Sequence, residues 1–422
     1  MCYNLGMEIK GKRFLITQPM MHWICGSTVV ALELAEYLKS SGAEVVIYTC
    51  FCGEPMKGIC KERGIKVDEY SGFPKYKLGD FDVVWVHSQI LPLSIVEALG
   101  KKELSDVPLF VFLHMSGMDW IPDEKPWIFD LENRLSSLSL FISEEVKAVN
   151  EGMIKSNIKT DFFRNPAPEC FRKRMVAPRE QVGHVLIVSH HPPQEVEKAG
   201  EILRDRYGLN VKKVGEGQVQ RGLLEPKTLE WADAVITIAK TVQYCLVSGT
   251  PVYVYDSYGG GVGWLDEKNY EDAKKRNFSG YQNKFYPDYV GGGFKRKSAE
   301  VIAREIVDGY NDALVFQQRN QEAFWKDYLI GEVVPKVLSE IEDNKKVVPF
   351  DEEYLESVSA AQSFAERRFE ASSAVYDLRS LMNREVELAL ENQELKKMVS
   401  AKSYKLYEKL IKPYKMIRML LK

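Results

Sequence analysis

The chain has 422 residues, 45% of them hydrophobic, 28% charged and 11% aromatic. Such a composition can bury a sizeable core, so wholesale disorder is excluded, and the length suits two or three domains. A formal charge of −3 gives no global electrostatic reason to bind nucleic acid; seven cysteines and 29 unperiodic glycines exclude a disulfide framework and a collagen-like fibre.

The opening MCYNLGMEIKGKRFLI has no apolar run with a small-residue cleavage site, so no secretory signal is expected, and Met7 could be the true start. Nowhere do about 18 consecutive apolar residues predict a membrane span. RFLITQ (Arg13 to Gln18) reads as a buried strand, followed by a turn and a helix with apolar positions Val30, Leu34 and Leu38. EVVIYT (44–49), DVVWVH (82–87), PLFVFLH (108–114) and SLFISE (139–144) read as further strands. Strands alternating with helices predict a largely parallel sheet, here in a domain spanning 1–165. Cys50, Cys52 and Cys60 lack the paired spacing of a zinc site and read as free thiols of a cytosolic protein.

Three prolines and a basic excess in 164–180 mark a linker. The alternation then restarts with strands HVLIVS (184–189), NVKKVG (210–215), AVITI (234–238) and PVYVYD (251–256), giving a second α/β domain that ends, with its crossover helices, near 345. A hinge follows, and 351–422 reads as a helical extension. Leu381, Leu388 and Leu395 repeat every seven residues, as in a short coiled coil or a helix packed on its own domain. Residues 402–422 carry seven basic residues and one Glu with an apolar stripe, which fits a helix lying on an anionic membrane surface or packed on a partner.

The segment 230–264 concentrates the chemistry. A strand runs into Lys240-Thr241 at the start of a helix, where free N–H groups, a cation and a hydroxyl suit a diphosphate. The next strand opens into Tyr258-Gly259-Gly260-Gly261, where a ligand could approach the backbone.

In its order of parts the chain resembles the GT-B glycosyltransferases, most nearly glycosyltransferase family 4 and related bacterial polysaccharide enzymes. The likeness rests on Cys25-Gly26-Ser27 before a helix, on strand endings at His87 and Leu113 to Gly117, and on 139–145 with Asn165-Pro166. It rests further on Val214 to Gly217 and on Ser248 to Asp256 with Gly259-Gly260. The resemblance implies an α/β fold with two Rossmann-like domains facing a cleft, plus the helical extension. It implies a nucleotide sugar (UDP-, TDP- or GDP-linked) on the C-terminal domain and a polysaccharide or lipid-linked glycan acceptor on the N-terminal one. Gly26, Ser27 and His87 would then serve the acceptor side; His190, Lys240, Thr241, Gly259 and Gly260 would serve the donor.

The family's paired glutamates are absent, with Tyr244 standing where the second is expected, so Gln243 or Tyr244 is expected to contact the nucleoside instead. Of the six histidines, His22 and His114 are candidates for the base that takes a proton from an acceptor hydroxyl, with Asp119 as a partner. No carboxylate pair near them suggests a metal, so metal-independent transfer is expected. The expectation is a peripheral enzyme at the cytoplasmic membrane face, with the heptads offering a route to a homo-oligomer. Two other readings stay open: a sugar-nucleotide epimerase of the same architecture, and a catalytically silent scaffold.

Overall fold

The computed structural model describes residues 7–100, 106–117, 128–172, 179–215, 222–257, 260–280, 296–341, 351–360, 362–369, 371, 385, 388 and 392. In chain order the first lobe opens with β1 (Arg13–Thr17), β2 (Met20–Met21), α1 (Gly26–Ser40), β3 (Glu44–Thr49) and β4 (Phe51–Cys52). It continues through α2 (Met56–Glu62), β5 (Lys66–Glu69), β6 (Val83–His87), α3 (Leu93–Leu99) and β7 (Leu109–His114). Then come α4 (Phe129–Leu135), β8 (Ser136–Phe141), α5 (Glu144–Asn150) and β9 (Thr160–Phe162). The second lobe holds β10 (His184–Val188), α6 (Gln194–Asp205), β11 (Asn210–Val214), α7 (Pro226–Trp231), β12 (Ala234–Thr237) and α8 (Lys240–Ser248). It is completed by β13 (Val252–Asp256), β14 (Gly260–Trp264), α9 (Tyr270–Lys275), α10 (Ala299–Asp308), α11 (Tyr310–Arg319) and α12 (Gln321–Tyr328), before α13 (Ile330–Ile341).

The first sheet has the order β5-β3-β1-β6-β7-β8-β9 and is parallel throughout. Its inner strands are apolar on both faces because helices cover both, as VVWVH in β6 and LFVFLH in β7 require. The second sheet runs β11-β10-β12-β13-β14, parallel except for the antiparallel edge β13–β14. Both are doubly wound, so this is an α/β protein with two Rossmann-like lobes. Each sheet reverses its strand order once, between β1 and β6 in the first and between β10 and β12 in the second. At such reversals the connections leave in opposite directions and open a crevice at the carboxyl ends of the strands.

The chain crosses between lobes twice at one place. Ala167 N donates to Tyr328 O at 2.6 Å and Ile330 N donates to Ala167 O at 2.9 Å. Beyond this crossing, α13 returns to the first lobe and buries Ile330, Val334, Val337, Leu338 and Ile341 in its core. Residues 351–367, expected within the helical extension, also belong with the first compact unit, where Leu355 and Val358 pack near Leu91, Ile95 and Leu99. The second unit is 368–422; its described residues are helical, and Leu388 is exposed. Most of the heptad pattern and the whole basic tail 402–422 lie outside the described residues. Among the described residues, no helix is long and apolar enough to cross a membrane.

Candidate functional site

In the second lobe, β12 passes through Ala239, a non-glycine residue at φ 50°, into the first turn of α8. Left-handed backbone at an alanine is costly and is held by its surroundings; here Ala239 N donates to Phe278 O at 3.2 Å. Thr241 stands half-buried in that turn. On the neighbouring strand, across the reversal, His190 is exposed just beyond β10. Gly215 follows β11 at φ 147°; a Cβ there would come within 2.0 Å of Ser189 O, so only glycine lets these two strand ends approach.

Lys240 is not available to a diphosphate, which corrects the sequence expectation. Its Nζ pairs with Glu33 Oε2 of α1 at 2.7 Å and donates to Asn165 O at 3.1 Å and to Pro166 O at 2.5 Å. Three N–H groups meet three acceptors, and none remains for a ligand. Burial pushes the Lys240 ammonium below and the Glu33 carboxyl above their ordinary values, and the attraction between them works against both shifts.

Tyr244 and Gln243 are corrected in the same way. Tyr244 OH donates to Glu33 Oε1 at 2.5 Å, and its ring stacks on Phe171 at 4.2 Å. Gln243 is fully buried, with its amide 3.2 Å from Asn277 Oδ1, and Asn165 Nδ2 reaches the same oxygen at 3.2 Å. Neither side chain can face a nucleoside in this conformation. Gly260 lies in β14 rather than in an open loop, and its carbonyl packs where a Cβ on Gly280 would fall, at 2.3 Å. Asp256 accepts from Gly280 N at 2.7 Å and from Ser279 Oγ at 3.1 Å, closing that corner. Gly259 lies outside the described residues.

The first lobe presents a different chemistry. At the β1–β6 reversal and the adjoining strand ends, Thr17 Oγ1, Gln18 Oε1, both ring nitrogens of His87, Ser88 Oγ, Gln89 Oε1 and His114 Nδ1 are buried without a protein partner. Seven such atoms at adjoining strand ends concentrate unmet polar capacity here. Burial holds the His87 imidazole down to about 3, hence neutral. Ser88 and Gln89, at φ 51° and 61°, form a left-handed loop directly after β6.

His114 closes β7 and stacks on Phe141. Its Nε2 meets Glu132 Oε1 at 2.9 Å; Ser139 Oγ donates to the same oxygen at 2.6 Å, and Gln89 Nε2 donates to Glu132 Oε2 at 3.3 Å. Glu132 thus accepts from three donors, which puts the His114 proton on Nε2 and leaves Nδ1 as the basic position. Sequence reasoning offered Asp119 as the partner; Asp119 lies outside the described residues, and Glu132 was missed. Its signal was a glutamate among the apolar positions of FDLENRL, as Glu33 is among those of TVVALELAEYL.

His22 is nearly buried, edge-on to Trp23 and Phe51 at 5.5 and 5.3 Å. Gly26 is exposed at the start of α1, and Ser27 Oγ accepts from Gln18 Nε2 at 3.3 Å, which ties that helix start to the end of β1. The cysteines at 50, 52 and 60 are buried free thiols. No group of three or more metal-ligating side chains stands together among the described residues. A shallow groove by Lys10, Arg13 and Asp82 lies at the opposite, N-terminal end of β1.

No family model matches the chain, and no curated protein matches it. Among solved structures it is similar to Anabaena HepE in complex with UDP and glucose, at 12% identity and a TM-score of 0.48 over 77% of this chain and 98% of that one. It is similar also to a glycosyltransferase from Rickettsia africae, at 12% identity and 0.47 over 79% and 100%, and to MurG from Acinetobacter baumannii, at 11% and 0.41 over 78% and 99%. At these values the likeness adds nothing to what the strand orders already say.

Proposed function

We propose that this protein is a glycosyltransferase that moves a sugar from a nucleotide-sugar donor to a polysaccharide or lipid-linked glycan acceptor. The observation that carries the reading is the set of seven unpartnered buried polar atoms at the first lobe's strand ends, beside a second lobe that offers a helix N-terminus at its own reversal. A hydroxyl-rich glycan supplies the donors and acceptors that Thr17, Gln18, His87, Ser88 and Gln89 lack. The exposed His190 and the Thr241 turn of α8 suit a diphosphate. In this reading His114 Nδ1 takes the proton from the acceptor hydroxyl, and Glu132 holds the imidazole; His22, which follows β2, is the second candidate base.

The finer parts rest on sequence alone. They are a UDP-, TDP- or GDP-linked hexose or deoxyhexose, metal-independent transfer, and docking of residues 402–422 on an anionic membrane at the cytoplasmic face. Release of nucleoside diphosphate from UDP-, TDP- and GDP-sugars, with and without a bacterial lipid extract as acceptor, tests the reading. Lipid-dependent release from one donor, lost in His114→Gln, supports it; no release from any donor overturns it.

One observation favours the silent scaffold. The lysine at the start of α8 is spent on Glu33 and the interlobe crossing. A scaffold would tolerate Thr241→Val combined with His114→Gln without loss of cellular glycan, whereas a transferase would not.

A further inference from the structure

The helix of residues 352–360 and 362–367 holds the first lobe in a way its apolar contacts alone do not require. Gln362 is fully buried. Its Oε1 accepts from Leu91 N at 3.2 Å, and its Nε2 donates to Gln89 O at 3.3 Å. One side-chain amide thus satisfies two backbone groups of the loop after β6, as a neighbouring strand would. This is the loop whose Ser88 and Gln89 are left-handed, a conformation that persists only where its surroundings over-determine it. One turn further on, Glu366 accepts a hydrogen bond from Tyr48 OH at the end of β3.

From that loop the connection runs on through buried groups. The Gln89 side chain donates to Glu132, and Glu132 binds His114 Nε2. His87 immediately precedes the loop.

We propose that the helix of residues 352–360 and 362–367 is an intramolecular strap and that Gln362 is a positioning residue, which fixes the Ser88–Leu91 loop and thereby the tautomer and orientation of His114. The chemical purpose rests on the glycosyltransferase reading, but the geometric claim does not. Gln362 touches no reacting atom; it acts through Gln89 and Glu132. The interior packing of Leu355 and Val358 keeps the strap in place, so losing the amide should release the loop while leaving the helix docked.

The test is made on the full-length protein labelled with 15N-histidine. Gln362→Met keeps the side-chain length and removes both polar ends; Gln362→Glu keeps the acceptor for Leu91 N and loses the donor to Gln89 O. Phe364→Ser, at a position 70% exposed on the same helix, is the control. The wild type should show His114, assigned by loss of its signals in His114→Gln, with its Nε2 proton held by Glu132. Both Gln362 variants should shift or broaden that signature, and Phe364→Ser should not. Where donor turnover is measurable, kcat should fall about tenfold with the donor KM unchanged. Superimposable His114 signals in folded Gln362→Met and Gln362→Glu would overturn the proposal, whatever the activity. If no nucleotide sugar is turned over but the signals move, the strap stands and the transferase reading falls.

Discussion

Glu33 and Lys240, on the first helix of one lobe and the first turn of a helix in the other, form a buried ion pair of 2.7 Å, with each residue 7% exposed. Tyr244 and the carbonyls of Asn165 and Pro166 complete its coordination, so the pair sits on the crossing that joins the lobes. A buried pair of this kind adds little net stability over apolar packing, yet removing one partner strands the other charge.

Lys240→Met should therefore destabilise the protein by about 3–5 kcal/mol. Combining it with Glu33→Gln should cost less than Lys240→Met alone, because no charge is then left buried. Urea unfolding of the two single variants and the double measures this, and strictly additive losses would contradict the pairing.

Glu132 accepts from three donors inside the first lobe. Glu132→Gln presents an amide N–H to at least one of them, so a loss of about 1–3 kcal/mol is expected by chemical denaturation. A neutral result would mean that the three contacts are rearranged without loss.

Glu366 gives the stability a pH dependence. It is fully buried, Tyr48 OH is its one side-chain donor among the described residues, and burial raises its carboxyl from 4.5 to about 7. Between these values the folded state keeps a proton that the unfolded chain has released, so stability falls as pH rises. The loss is complete above about 7 and amounts to roughly 3 kcal/mol. His87 works in the opposite sense: its neutral buried ring costs stability as pH falls below 6.5 towards about 3. Glu366→Gln should remove only the first effect. The gap between its urea midpoint and the wild type's should thus widen in the variant's favour from pH 5 to pH 8; a constant gap would contradict it.

Gly53 presses against His22, and a Cβ added there would fall 2.0 Å from His22 Nδ1 and 2.7 Å from the Phe51 ring. Gly53→Ala should displace the imidazole and cost about 1–3 kcal/mol, the usual range for overpacking. Unchanged stability together with an unchanged His22 resonance would show that the ring is free to move.

Much of the fold was legible because buried parallel strands are short apolar runs bounded by turns. EVVIYT coincides with β3, and the strands expected at 82–87, 184–189, 210–215 and 251–256 each lie within one residue of an observed strand, at 83–87, 184–188, 210–214 and 252–256. The strands that escaped lack that signature. β5 (KVDE) is a polar edge strand, β9 is three residues long, and β14 (GGVGW) reads as a loop because three of its five residues are glycine.

The site was legible only in part, because spacing can place Lys240 at a helix start but cannot say which carboxylate will meet it. Glu33 lies 211 positions from the tyrosine it binds, and Gln362 lies 273 from Gln89. Such pairings are set by how the lobes and the returning C-terminal helix pack. The same local pattern that suggested an open cation therefore produced a closed one.

The most direct test of the central claim is a thermal-shift panel of UDP, TDP, GDP, ADP and CMP against the wild type, Thr241→Val and His190→Ala. One nucleoside diphosphate at about 100 times its dissociation constant should add about 2.7 kcal/mol to the wild type. That gain should shrink in both variants. No shift with any nucleotide at millimolar concentration would contradict a nucleotide-sugar site and leave the scaffold reading in its place.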